Sequence, residues 1–92
     1  MIVCRSAAEL RRLREVNQLV GRVLEQLRDA VAPGVTTEAL DALAEREIRA
    51  GGAVPAFKGY KGYPATICAS VNEQVVHGIP SPKTVLREGD II

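Results

Sequence analysis

The spacing of apolar residues changes once along this chain, at the pair Gly51-Gly52, and that change limits the folds open to it. Before the pair, apolar residues recur every three or four positions, which is the period of a helix with one apolar face. After the pair, the helical period is lost and Gly and Pro become frequent. The chain is therefore predicted to be α+β, with two N-terminal helices followed by antiparallel strands and loops.

Two helices are predicted before the glycine pair. Ser6 and Glu9 have the spacing of a capping box, in which the Ser hydroxyl and the Glu carboxylate each bind a backbone N–H at a helix start. Pro33-Gly34 ends this helix, and Thr36 or Thr37 caps the next. The apolar stripe of the first helix is Leu10, Leu13, Val16, Val20, Val23, Leu24, Leu27 and Val31, and that of the second is Leu40, Leu43, Ala44 and Ile48.

A hairpin is predicted in the second half of the chain. Residues 66–71 have the composition of a strand, Asn72-Glu73 offers a turn, and residues 74–76 form a short returning strand that ends at His77. The prolines of residues 79–83 lack the N–H donor of a ladder, so this stretch is predicted to be a loop. The last residues, Ile91-Ile92, begin what reads as a buried strand, and we expect the natural domain to continue beyond them.

Composition and charge exclude several classes of protein. Ninety-two residues make at most one domain, here an incomplete one spanning 1–92. The formal net charge of +1 disfavours a nucleic-acid-binding role, and no apolar run approaches the roughly 20 residues that span a bilayer. The two cysteines, Cys4 and Cys68, match no metal-ligand spacing and make a poor disulfide framework, so a reducing cytoplasm is the expected location.

All three aromatic residues, Phe57, Tyr60 and Tyr63, fall in one short segment rich in Gly and Pro. A small protein normally spreads its large rings through its core, because each ring buries a large apolar area. The core of this chain is therefore expected to be aliphatic. Rings gathered on a loop, followed closely by the only histidine, His77, predict the wall of a binding pocket.

The residues alone do not assign a reaction to this pocket. A lone histidine such as His77 is more often a partly exposed residue at a strand end than a ligand, and Cys68 is more often a small buried hydrophobe than a nucleophile. No HExxH motif, hydrolase elbow or phosphate-binding glycine pattern is present. Composition and spacing alone therefore support a small α+β domain with a loop pocket.

The run from Gly52 to Pro80 nevertheless resembles the N-terminal half of the bacterial type I methionine aminopeptidases. Its most specific parts are Ser-Val-Asn-Glu at residues 70–73 and Val-His-Gly-Ile-Pro at residues 76–80. Pro-Gly-Val-Thr-Thr at residues 33–37 and Leu-Arg-Glu-Gly-Asp-Ile-Ile at residues 86–92 match the same family in the same order. The resemblance covers nearly the whole chain.

The resemblance implies a pita-bread fold, in which two related αβ halves surround two divalent metal ions, Co, Mn, Fe or Zn. The metals activate a water that attacks the peptide bond after the N-terminal methionine of a peptide or nascent protein. Phe57, Tyr60, Tyr63 and Cys68 match positions that line the methionine pocket. His77 matches the family histidine that hydrogen-bonds the substrate and assists turnover without binding metal.

The chain departs from the family pattern in three respects. Phe57 stands where several relatives have a smaller residue, and Lys61 replaces a histidine found in some of them. None of the family's five metal ligands is present, since the first follows the equivalent of Ile92 and Asp90 lies too early. We therefore expect the isolated chain to be inactive.

Two alternatives remain open at this point. The chain could be a non-catalytic half-domain that acts as an assembly module, pairing with the missing C-terminal half or with itself. It could also belong to a non-peptidase relative with the same fold.

Overall fold

The computed structural model describes residues 1–92, which form two α-helices followed by a long irregular segment. Helix α1 spans Ala7–Ala30, helix α2 spans Thr37–Ala50, and a short 3-10 turn spans Tyr60–Gly62. The two helices pack against each other, and residues 51–92, here called the irregular segment, lie against α2. Neither helix has the length and hydrophobicity that a bilayer-spanning segment requires.

Both predicted helix starts are confirmed. At α1 the Ser6 N–H donates to Glu9 Oε2 at 2.7 Å and the Glu9 N–H donates to Ser6 Oγ at 3.2 Å, which is the reciprocal capping box. At α2 the cap is Thr36, the first of the two candidates, whose Oγ1 accepts from the Ala39 N–H at 3.1 Å. Local side-chain chemistry therefore sets where each helix begins.

The structure does not confirm the strands predicted for the second half. Residues 66–71 and 74–76 adopt no strand. The expected hairpin is reduced to two backbone bonds, from the Ala69 N–H to the Gly78 carbonyl at 2.7 Å and from the Gln74 N–H to the Val71 carbonyl at 3.1 Å. Asn72 and His77 both have left-handed backbone angles, with φ of 53° and 58°. A left-handed backbone suits Asn72, which lies in the predicted turn, but at His77 it departs from the extended conformation and ends the returning segment.

One antiparallel bridge, between Thr36 and Val85, is the sole strand-like pairing. Backbone bonds from Gly34 to Leu86 and from Leu86 to Val35, both 2.8 Å, flank it and tie the loop between the helices to the end of the chain. Beside this bridge, the buried Thr37 hydroxyl donates to the Ser81 carbonyl at 3.2 Å and accepts from the Ser81 N–H at 2.9 Å. The start of α2 thus anchors the last dozen residues.

The core is small and aliphatic, as the placement of the aromatic residues predicts. It lies between α2 and the irregular segment, and its apolar members are Val23, Leu40, Ala44, Ala65, Ala69 and Leu86. Helix α1 contributes only Val23 to it. Most of the apolar stripe predicted for α1 is exposed instead, including Leu24 at 60% and Val20 at 47% of their full accessible area. This exposed stripe is called the α1 face below.

Candidate functional site

An open pocket of about 590 Å³ lies on the irregular segment. It brings together every site residue predicted from the sequence. The lining residues are Phe57, Tyr60, Lys61, Gly62, Tyr63, Pro64, Cys68, His77 and Ile79. Aromatic and aliphatic groups thus form most of the wall, while the His77 imidazole, the Cys68 thiol and the Lys61 ammonium add polar groups.

The 3-10 turn shapes the aromatic wall. Gly59 and Lys61 have φ of 82° and 48°, so the chain reverses within a few residues and brings its rings to one side. The rings of Phe57 and Tyr63 meet edge to face, with centroids 6.4 Å apart and planes at 81°. This arrangement is favourable for two aromatic quadrupoles. The two rings therefore support each other as one wall.

Two lysines flank the wall and have different contacts. Lys58 Nζ lies 2.8 and 3.0 Å from the two carboxylate oxygens of Glu45 on α2, and this hydrogen-bonded pair lowers the pKa of the Glu45 carboxyl. Lys61 Nζ lies 5.5 Å from the centroid of the Tyr60 ring, within cation–π range. Lys58 thus fastens the turn to α2, while Lys61 stays at the pocket.

Tyr63 is held by its hydroxyl as well as by its ring. The Tyr63 O–H donates to the Ile67 carbonyl at 2.8 Å. Burial, hydrogen bonding to Cys68 and the charge of Asp41 together raise the pKa of Tyr63 to about 12, with burial the largest cause. Tyr63 therefore stays protonated at neutral pH and acts as a hydrogen-bond donor.

Asp41 on α2 lies behind the pocket wall. Its Oδ1 accepts from the N–H groups of Thr66 and Ile67, both at 2.9 Å. The sequence alone does not predict this role, because an Asp in the middle of a predicted amphipathic helix resembles any solvated helix position. Nothing in the local sequence marks its long-range contact.

His77 is exposed and lies next to a tightly packed glycine. Gly78 is buried, its N–H donates to Ser70 Oγ at 3.0 Å, and its carbonyl accepts from Ala69. A Cβ at Gly78 would lie 2.7 Å from the Ser70 Cα, far inside contact distance. The neighbouring backbone therefore fixes where the imidazole leaves the chain.

The structure corrects the interpretation of Cys68 as a buried strand residue. Its side chain is exposed and, like that of Cys4, it is a free thiol. It is exposed because residues 66–71 do not pair into a sheet that would cover it. Ile79 was also missed, since its stretch was interpreted only as a loop, although it follows His77 by two positions.

The residues present do not fit a metal ion. No three His, Cys, Asp or Glu side chains lie close enough together to hold one. His77 is the only histidine. Of the other residues that line the pocket, only Cys68 has a side chain of a type that commonly binds metal. Catalytic metal sites take several nitrogen, sulfur or carboxylate ligands. No metal-dependent step follows from these 92 residues.

Comparison with known proteins gives consistent results. The model of metallopeptidase family M24 matches residues 11–92. A methionine aminopeptidase from Clostridium acetobutylicum is 51% identical over 92 residues, which are 100% of this chain and 37% of that protein. Methionine aminopeptidase 1 of Bacillus subtilis is 48% identical over 92 residues, again 100% of this chain and 37% of that protein.

Two solved structures agree with these sequence matches. The methionine aminopeptidase from Thermotoga maritima matches with a TM-score of 0.95 and 36% identity, covering 99% of this chain and 36% of that one. The enzyme from Rickettsia prowazekii gives a TM-score of 0.93 and 38% identity, covering 98% of this chain and 36% of that one. The chain thus spans little more than a third of the length of these relatives.

Proposed function

The chain belongs to metallopeptidase family M24, and on that premise we propose that it is the N-terminal part of a methionine aminopeptidase with a pita-bread fold. The proposed reaction is the hydrolytic release of the N-terminal methionine from peptides or nascent proteins. One observation carries the proposal, namely that a single pocket gathers all five predicted site residues. These residues are Phe57, Tyr60, Tyr63, Cys68 and His77.

The pocket wall suits a methionine side chain. Phe57, Tyr60 and Tyr63 offer ring surfaces, and Ile79 adds an aliphatic one. An unbranched thioether gains from burial against such a wall and from contact between its sulfur and the aromatic rings. We propose that these residues, with Cys68, bind the methionine side chain.

His77 is the proposed catalytic residue. Its exposed imidazole lines the same pocket as the rings, so a bound methionine would place the following peptide bond near it. An imidazole can donate or accept a hydrogen bond near neutral pH. We propose that His77 hydrogen-bonds the substrate beside the bond to be cleaved and assists its turnover.

M24 is a family of metallopeptidases, yet this chain supplies no cluster of metal ligands. We therefore propose that the ligands of two divalent ions lie in the part of the relatives that this chain does not span. Those ions would supply the activated water. The isolated chain is proposed to release no methionine.

We further propose that this unspanned part covers the α1 face. Two apolar grooves of about 430 and 370 Å³ run along the face, the first lined by Val16, Val20 and Leu24 among others. Ile92 lines the second groove together with Leu27 and Val31, so a chain continuing from it would enter this groove directly. Exposed apolar patches of this kind mark surfaces that another element covers.

A chimera tests the proposal. Residues 1–92 replace the matching third of the Bacillus subtilis methionine aminopeptidase 1, and methionine release from a Met-Ala-Ser tripeptide is measured with added divalent metal. The chimera should be active and the 92-residue chain inactive. His77→Ala should lower kcat/KM of the chimera about 100-fold. Tyr63→Ala should raise KM more than it lowers kcat, because the ring is proposed to bind rather than react.

Two control variants complete the design. Arg12→Ala changes an exposed side chain of α1 outside the pocket and should leave activity unchanged. Leu24→Glu should destabilise the chimera but not the isolated chain, in which Leu24 is already exposed. A folded, inactive chimera, or metal-dependent turnover by residues 1–92 alone, would refute the proposal. Light scattering that shows a dimer of the isolated chain, dissociated by Leu24→Glu, would assign the α1 face to self-association instead.

A further inference from the structure

We propose that Asp41, on α2, is a positioning residue for the pocket. Its carboxylate fixes the peptide groups of Thr66 and Ile67, and through them it sets the places of Tyr63 and Cys68 in the pocket wall. The inference rests on the proposed function only for what enters the pocket. The effect of Asp41 on the shape of the wall stands on contacts alone.

Asp41 holds two backbone N–H groups of the irregular segment, an arrangement called the clamp below. One carboxylate oxygen of the half-buried Asp41 accepts two backbone N–H groups, from Thr66 and Ile67, each at 2.9 Å. Hydrogen bonds to an ionised acceptor are shorter and stronger than bonds between neutral groups. The residues are 25 and 26 positions apart in sequence. The clamp therefore ties the rigid helix to a distant part of the chain.

Apart from this clamp, the backbone around Thr66 and Ile67 is weakly anchored. Residues 66–68 make no backbone-to-backbone hydrogen bond, and the first such bond beyond them starts at Ala69. The Thr66 side chain adds none, since its buried Oγ1 has no hydrogen-bond partner. Without a strand ladder, the directional constraints on residues 66–68 come from two side chains, Asp41 and Tyr63.

The clamp is connected to the pocket wall through Ile67 and Tyr63. The Ile67 N–H donates to Asp41, and the Ile67 carbonyl accepts from the Tyr63 hydroxyl at 2.8 Å. The Tyr63 ring in turn meets Phe57 edge to face, and Cys68 follows Ile67 directly. Asp41 thus determines the position of pocket groups that it does not reach itself. The raised pKa of Tyr63, to which the charge of Asp41 contributes, agrees with their proximity.

The experiment uses the 92-residue chain in a Cys4→Ser background, so that Cys68 is the single thiol. Amide hydrogen exchange of Thr66 and Ile67 is measured by NMR and divided by the exchange rate of α2 amides. The rate at which iodoacetamide alkylates Cys68 reports how exposed this residue is in the pocket wall. Asp41→Ala should raise the exchange ratio about tenfold and change the alkylation rate at least twofold. Asp41→Asn keeps an acceptor oxygen and should retain most of the protection.

Thr37→Val is the matched control. It removes a buried hydrogen-bonding pair at the start of the same helix, so it should destabilise the chain while leaving the exchange ratio and the alkylation rate unchanged. Parental amides of Thr66 and Ile67 that exchange as fast as those of an unstructured peptide would overturn the inference. The inference would also be overturned if Asp41→Ala had the same exchange ratio and alkylation rate as the parent. The same holds if Asp41→Asn lost as much protection as Asp41→Ala. Methionine release is not measured here, so this failure is distinct from a failure of the proposed function.

Discussion

The helical pair and the irregular segment satisfy their backbone groups in different ways. Of 51 backbone-to-backbone hydrogen bonds, 31 lie inside regular elements, which in this chain are helices. The irregular segment combines scattered backbone bonds with side-chain bonds, in which Asp41, Thr37 and Ser70 bind backbone groups that a sheet would have paired. A helix therefore tolerates the loss of a distant contact, whereas the pocket half of the chain depends on a few such contacts.

The largest loss of stability is expected for Gly78→Ala, in the irregular segment. The added methyl group would lie 2.7 Å from the Ser70 Cα, and backbone rather than a flexible side chain would have to move. We expect a loss of about 3 kcal/mol in the free energy of unfolding, measured with urea, because overpacked sites are costly. His77 should shift in NMR spectra at the same time, since its neighbour is displaced.

Gly21→Ala is the control on the helical side. A Cβ at Gly21, in the middle of α1, meets nothing within 4 Å. Alanine there should stabilise the chain by about 1 kcal/mol, because glycine is a poor helix former. If Gly21→Ala and Gly78→Ala changed the free energy of unfolding equally, the proposed difference between the helical pair and the irregular segment would be wrong.

Two buried threonines allow a sharper test with one substitution. Thr37 and Thr66 are 1% and 4% exposed, but only the Thr37 hydroxyl has hydrogen-bond partners. Thr37→Val should cost about 2 kcal/mol, because it removes two hydrogen bonds and leaves Ser81 groups unpaired. Thr66→Val should be neutral or stabilising, because it removes a buried hydroxyl without a partner. Urea unfolding of both variants decides the point, and a costly Thr66→Val would show that its hydroxyl is bonded after all.

The smallest expected effect is a pH dependence at the end of the chain. The Asn72 side chain, followed by the Arg87 N–H, holds the pKa of Asp90 below its ordinary value of 3.8. The charged carboxylate is thus favoured in the folded state, so its stabilisation is present above pH 3.8 and is lost as the pH falls through the lower folded value. Urea midpoints at pH 5 and pH 3 should differ less for Asp90→Asn than for the parent. Identical differences would show that the Asn72–Asp90 bond does not hold in solution.

The pocket was predictable from the sequence in part. The clustering of Phe57, Tyr60 and Tyr63, with His77 close behind, indicated where it lies, because few residue types supply rings or an imidazole. Asp41 was not predictable, since its role depends on a contact across 25 residues. The strand pattern at residues 66–71 predicted a hairpin, but a strand also needs a paired neighbour, and residues 66–68 make no backbone-to-backbone hydrogen bond here.

The two helices, their caps, the aliphatic core and the family to which the chain belongs could all be predicted from the order of the residues. These features depend on residues a few positions apart or on the order of residues along the chain, so they can be recognised without coordinates. Coordinates were needed to show which apolar stripe is buried, which carboxylate holds the pocket wall, and that the second half of the chain is irregular. These features depend on contacts between residues that are distant in sequence, and local conformational preferences do not specify such contacts.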